Sequence, residues 1–318
     1  MRIIINIILI VAINTSESLH VSKYKNSTFK SLFLIASLTI GTQVSAGEAN
    51  FGWIYTADLT PKGKFEIEHK SFIQQGQVNG DYTTIINSEE LEYGVTDNFQ
   101  ITGYLNWSYA NAYQNNNVTG ETGGPVTDVD PNAPFERYRE TRYESAALEM
   151  IYRLKNPLTD GYGLALYLEP ELGPRTTELE WRIILQKNFL DDRLIVASNI
   201  TGKHEREESK GSLERASMLD LTLGASYRFA DNWSAGAEFR NHNEFVGYRF
   251  DNAEHSAFFF GPNIHYAAQN WWATAAWRHQ LPIVKTYNQD QRDLVIHGHI
   301  YGDEQATNEF MIKVGVPF

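Results

Sequence analysis

The chain contains no cysteine, which excludes a disulfide framework and any thiolate metal site. It has no apolar run of the roughly 20 residues that a membrane helix needs, outside two short stretches near its start, and so is not a helical membrane protein. Excess positive charge is absent too. The 27 Lys and Arg stand against 39 Asp and Glu, a formal charge of −12, and an acidic surface repels nucleic-acid phosphates. Lack of cysteine suits a chain that crosses an oxidising periplasm, where a stray thiol can mispair. A hydrophobic fraction of 42% is ordinary for a globular chain, and the excess lies in aromatics: 17 Tyr, 17 Phe and 7 Trp.

Residues 22–46 read "SKYKNSTFKSLFLIASLTIGTQVSA". Lys23, Lys25 and Lys30 precede an apolar stretch over 32–40, and Val44, Ser45 and Ala46 follow it. These are the three parts of a secretory signal peptide, so export with cleavage after Ala46 is expected. The opening "MRIIINIILIVAIN" is a second apolar run, too short to span a bilayer and without a cleavage site behind it. It reads as an over-extended start, with translation beginning near Leu19 or Val21. The division is therefore a leader over 1–46, an N-terminal periplasmic segment over 47–62 and the main domain over 63–318.

From residue 63 onward apolar residues alternate with period two, the mark of strands with one apolar face. Phe99, Ile101, Leu105, Trp107 and Tyr109 oppose Gln100, Thr102, Asn106 and Ser108. The pattern predicts twelve strands, near 63–77, 82–95, 99–113, 141–154, 162–172, 177–189, 193–203, 217–229, 233–246, 255–267, 271–282 and 308–318. Tight polar clusters at 96–98, 156–161, 190–192, 230–232 and 268–270 alternate with longer links such as 114–140, 203–216 and 283–307.

A β-sandwich also has many short strands, but it gives aromatics no reason to gather at one set of strand ends. Here Tyr93, Phe99, Tyr152, Phe189, Tyr227, Trp233, Trp271 and Phe318 flank the tight turns. Trp107 and Tyr109 would form the opposite belt, about 20–25 Å up the strand. The expectation is an all-β fold, a transmembrane antiparallel up-and-down β-barrel of about 12 strands in a Gram-negative outer membrane. Outer-membrane lipid and lipopolysaccharide would surround it.

The chain ends in "FMIKVGVPF", which resembles the C-terminal signature recognised by the barrel-assembly machinery. Residues 55–68, "YTADLTPKGKFEIE", and 92–101, "EYGVTDNFQI", resemble the opening segment and first periplasmic turn of outer-membrane transporters of the MetA-pathway-of-phenol-degradation type and related barrels. The resemblance implies fold and location and names no substrate.

Alternation points Glu66, Glu68, Glu90, Glu92, Glu149, Glu169, Glu171, Glu178, Glu180, Asp220, Glu238 and Glu244 inward, with Lys70, Arg153, Arg182, Arg228, Arg240, Arg278, His242 and His265. Acidic residues outnumber bases, so a conducting lumen would pass small solutes with a weak preference for cations. The unpaired surplus is expected near Glu66, Glu68, Glu90 and Glu92. A barrel that binds through its outer loops without conducting is the alternative. His69 and Glu89 would face lipid, and a bulge near Ser88 would turn Glu89 away.

An outer-membrane phospholipase resembles this chain in strand number and uses a His and a Ser facing the lipid edge. Residues 241–245, "NHNEF", have a His with no Ser two residues on, and no Ser, His and carboxylate set converges in the sequence, so no catalytic residue is assigned. His297 and His299 have a spacing compatible with a metal pair, and residues 128–132, "DVDPN", depart from a calcium-loop pattern. Neither defines a metal or cofactor site.

Overall fold

The computed structural model describes residues 50–77, 80–113, 136–209, 212–284, 295–296, 299–300 and 305–318. The leader, "DVDPN", His297 and Gly298 lie outside the described residues.

Eleven strands follow in chain order: β1 Phe65–Gln75, β2 Asp81–Thr96, β3 Phe99–Tyr113, β4 Arg137–Lys155, β5 Gly163–Leu172, β6 Thr176–Phe189, β7 Leu194–Ser209, β8 Ser212–Ala230, β9 Trp233–Val246, β10 Ala253–Ala267 and β11 Trp272–Gln280. The short pair β12 Val295–Ile296 and β13 His299–Ile300 precedes β14 Asn308–Pro317. Each barrel strand pairs antiparallel with its sequence neighbour, and β14 pairs with both β11 and β1 to close a twelve-strand barrel. Closure leaves no unpaired strand edge, as a sheet in lipid requires.

The outward face is apolar. Ile67, Leu91, Leu105, Leu148, Leu166, Leu221, Ile264 and Val314 are all exposed, as lipid-facing side chains must be. Rings line the tight-turn end. Phe65 lies 4.5 Å from Tyr93 and 5.7 Å from Phe318, Phe99 lies 6.4 Å from Tyr152, and Tyr266 bridges Trp233 and Trp271 at 4.7 and 5.3 Å. Phe189 and Tyr227 are exposed at the same end. Toward the loops, Trp107 packs edge-on to Tyr143 at 5.7 Å.

Three features differ from the sequence expectation, the first being that β4 starts at Arg137, inside the expected link over 114–140. The link over 203–216 is mostly strand, since β7 runs to Ser209 and β8 starts at Ser212. Both faces are polar there, so no apolar alternation marks it. The proposed bulge near Ser88 does not exist: β1 and β2 pair without a break from Phe65↔Tyr93 to Gln75↔Thr83. His69 and Glu89 therefore both stay on the lipid face, opposite each other.

Candidate functional site

Residues 50–62, "NFGWIYTADLTPK", lie inside the barrel. Apart from the parallel bridge of Lys62 to Gly94 the segment has no ladder partner, so its backbone groups must be satisfied by side chains, and the lumen wall supplies them. Glu238 on β9 accepts from the amides of Gly52 and Trp53 at 2.6 and 3.0 Å. Asn199 on β7 brackets Tyr55, accepting from its N–H at 2.8 Å and donating to its carbonyl at 2.9 Å. Gln186 on β6 accepts from Ala57 at 2.7 Å, and Gln100 on β3 accepts from Thr60 at 2.8 Å. Apolar contacts reinforce these anchors: Ala57 and Leu59 pack with Ile151, Ala165 and Ile184, and Phe51 and Ile54 with Ala197. At the rim the segment turns into β1 over Gly94, where a Cβ would lie 2.2 Å from the Pro61 carbonyl.

Tyr55 stands at the centre. The Arg182 guanidinium lies 4.3 Å from its ring centroid and the Lys70 ammonium 5.5 Å away, both within cation–π range. Its ring meets Tyr167 edge-on at 5.1 Å. Burial, with the nearby Glu149 carboxylate adding to it, holds the Tyr55 phenol well above its ordinary value, so it stays neutral. Trp53 lies under Arg278, 4.0 Å from the guanidinium carbon.

Most of the charged side chains singled out in the sequence project into this lumen and find partners there. Glu66 accepts from Trp272 Nε1 at 2.8 Å; Lys70 lies 2.7 Å from Glu90 and 3.9 Å from Glu68, and Lys313 lies 3.7 Å from Glu68. Glu92 accepts from Thr60 Oγ1 at 2.7 Å and Gln100 Nε2 at 3.1 Å. All four carboxylates have polar partners: Lys70 and Lys313 bring two cations to Glu68 and Glu90, and neutral donors hold Glu66 and Glu92. Glu149 accepts from Thr102 at 3.0 Å and from Tyr104, Glu169 from Tyr167 at 2.5 Å, and Glu171 from Ser145. Arg182 pairs with Glu180, Arg240 with Asp220, and Arg278 with Glu309. Arg153 sits at the tight-turn rim, donating to the carbonyls of Ala57 and Asp97. Arg228 is exposed at that rim and does not join the cluster.

Several contributors were missed. Lys203 lies 2.7 Å from Glu178 and 2.8 Å from Glu205, and Glu309 is fully buried against Arg278. The inward parity of Asn199 and Thr201, carried to the end of the predicted strand and one step beyond, would have found Lys203 and Glu205.

Two cavities flank the segment. One of about 280 Å³ opens among Tyr55, Lys70, Tyr104, Glu169, Glu178 and Lys203; another of about 170 Å³ lies between Trp53, Asp220, Arg240 and His242. Glu144, Glu169, Glu171, Glu178, Glu205 and Glu207 line the larger one against Lys70, Arg182 and Lys203. The acidic excess therefore lies on its β4–β7 wall. Beside the smaller cavity, His242 Nε2 and His255 Nε2 lie 3.6 and 3.3 Å from Glu244 Oε2, and Asp220 lies 2.6 Å from His242 Nδ1. Tetrahedral ligands about 2.0–2.1 Å from a zinc ion stand about 3.3 Å apart, so His242, Glu244 and His255 could hold a divalent transition metal.

A closed antiparallel barrel with a lipid-facing apolar exterior, aromatic belts and a charged interior defines a Gram-negative outer-membrane β-barrel. The chain belongs to the family of unknown function DUF6662, whose model matches residues 43–318. No protein of curated function matches the sequence. Among solved structures, the COG4313 outer membrane channel from Pseudomonas putida F1 is similar over 82% of this chain and 98% of its own, at 9% identity and a TM-score of 0.55. The NanC porin covers 79% of this chain and 98% of its own, at 10% identity and a TM-score of 0.48. The KdgM porin covers 80% and 99%, at 10% and 0.46. At 9% identity the likeness to the COG4313 channel establishes the fold alone.

Proposed function

We propose that the barrel is a passive, porin-like channel for small solutes with a weak preference for cations, its bore narrowed by residues 50–62. The observation that carries this is the charged, solvent-sized space beside the segment, whose wall offers six carboxylates against three bases. Fixed acidic charge favours cations, and screening over about 10 Å at 0.1 M salt keeps the preference modest. The resemblance to MetA-pathway-type transporters agrees with this role. Export through the leader, cleavage after Ala46 and insertion by the barrel-assembly machinery belong to the same reading.

The docked segment favours a second reading, a barrel closed at rest that acts through its loops. Single-channel recording of the refolded mature protein in a planar bilayer separates the two. Cation-selective steps that lose selectivity when Glu169, Glu171, Glu178 and Glu205 are changed to Gln support the channel. An anion-selective reversal potential refutes its charge assignment. A silent barrel that conducts only after residues 47–60 are deleted supports the closed state.

A further inference from the structure

The outer face carries a polar island where β1 meets β2. His69 Nε2 lies 3.0 Å from Ser71 Oγ, and His69 Nδ1 lies 2.9 Å from Glu89 Oε1. Ser71 Oγ also donates to Asn87 Oδ1 at 2.7 Å. The four residues form two adjacent cross-strand pairs, His69↔Glu89 and Ser71↔Asn87. Apolar neighbours surround them: Ile67↔Leu91 and Ile73↔Ile85 along the strands, Val314 and Ile312 on β14, Leu105 and Trp107 on β3.

Nothing in barrel closure requires this island, since the ladder there is backbone and its register is unbroken. A carboxylate facing lipid is destabilising, and ionisable groups at membrane depth mark working sites. The order carboxylate, imidazole, hydroxyl is that of an activated serine. One ring nitrogen is oriented by the acid, and the other is within reach of the nucleophile's proton.

Depth selects the substrate. Ser71 stands six residues beyond Phe65 on β1, about 15 Å above the lower belt at a rise of about 3.3 Å per residue and a tilt near 40°. Asn87 beside it pairs with Trp107 of the upper belt. The hydroxyl is thus presented laterally to lipid, in the loop-side half of the apolar band. Only a molecule dissolved in that leaflet reaches it.

The geometry points to a serine acyl-ester hydrolase acting on ester-linked acyl chains of membrane lipid, with Ser71 as nucleophile, His69 as general base and Glu89 as its positioning residue. Ser71 Oγ bonds to the acyl carbonyl carbon as its proton passes to His69 Nε2. The C–O bond to the lipid alcohol breaks, and that alcohol oxygen takes the proton from His69. Water then attacks the acyl-serine, giving its proton to His69, and Ser71 leaves and recovers it, releasing a free fatty acid. The serine hydroxyl has one proton, so donating it to His69 calls for the Asn87 amide in its other orientation, O and N exchanged. In that orientation the Asn87 Nδ2–H donates to Ser71 Oγ across the same 2.7 Å contact, leaving the hydroxyl proton free for His69.

The test uses the refolded full mature barrel, with heat-modifiable migration on a gel confirming folding of every variant. A fluorophosphonate is expected to modify Ser71, located by mass spectrometry. Vesicles of phosphatidylethanolamine and vesicles containing lipid A are assayed separately for fatty-acid release, and the one hydrolysed identifies the lipid. Ser71→Ala should abolish label and release. His69→Ala should reduce both by at least about a hundredfold. Glu89→Gln should slow the labelling rate and Glu89→Asp restore part of it, a pattern that mere packing would not give. Absence of the Ser71 adduct, absence of release from both lipids, or release that persists in folded Ser71→Ala would each overturn the assignment.

Discussion

Glu238 is the anchor on which the inner end of the lumen segment depends, and replacing it by alanine should release that end. Its carboxylate accepts from the backbone N–H groups of Gly52 and Trp53 and from Asn263 Nδ2. In Glu238→Ala the two amides lose their acceptor in a buried site, at about 1–3 kcal/mol each. A total of about 2–6 kcal/mol shifts the docking equilibrium of residues 50–54 by about 30-fold to 10⁴-fold. The anchors at Asn199, Gln186 and Gln100 remain, so the rest of the segment should stay in place. Because the chain has no cysteine, an Asn50→Cys substitution gives one clean thiol at a buried position. Maleimide labelling of that thiol should accelerate on addition of Glu238→Ala, and single-channel conductance should rise in parallel. Equal labelling rates and equal conductance in the two proteins would refute the assignment of Glu238 as the anchor.

Deleting Phe318 should cut outer-membrane levels and leave unfolded precursor in the periplasm, measured by fractionation. Phe318 and Phe65 exchange backbone hydrogen bonds at 2.9 and 3.1 Å, and their rings stack at 5.7 Å across the closing seam. Gly94→Ala should lower the temperature at which the barrel loses its heat-modifiable form, because the new methyl meets the Pro61 and Thr60 carbonyls at 2.2 and 2.4 Å. Arg278→Leu should destabilise the barrel in denaturant titration, by at most about 3–5 kcal/mol, since it leaves buried Glu309 with the more distant Arg240 guanidinium 3.9 Å away; the double change with Glu309→Leu should recover part of that loss.

The strand pattern was legible because lipid outside and water inside impose a strict two-residue period. β3 and β9 fall on the predicted limits, and β14 within one residue. The upper parts of β4, β7 and β8 were not, because Arg137 to Glu140, His204 to Ser209 and Ser212 to Ala216 stand where neither face needs to be apolar. The inserted segment was also out of reach. Its anchors, Gln186, Asn199 and Glu238, are ordinary inward polar residues until a chain from 129 to 186 positions earlier reaches them. The lipid-face island failed for another reason. His69 and Glu89 were noted as facing lipid and Glu89 was expected to be turned away by a bulge, and only the unbroken β1–β2 register brings Glu89 and Asn87 beside His69 and Ser71.

Residues 50–62 lead directly into β1, and β1 is one lip of the seam that β14 seals last. The segment therefore waits for contacts that do not exist until β9 is in place, the Glu238 contact lying 186 positions downstream. It works as a completion check: a sheet lacking its later strands has no place for the early segment to settle. Such a sheet would present an unhoused, partly apolar tail to periplasmic proteases.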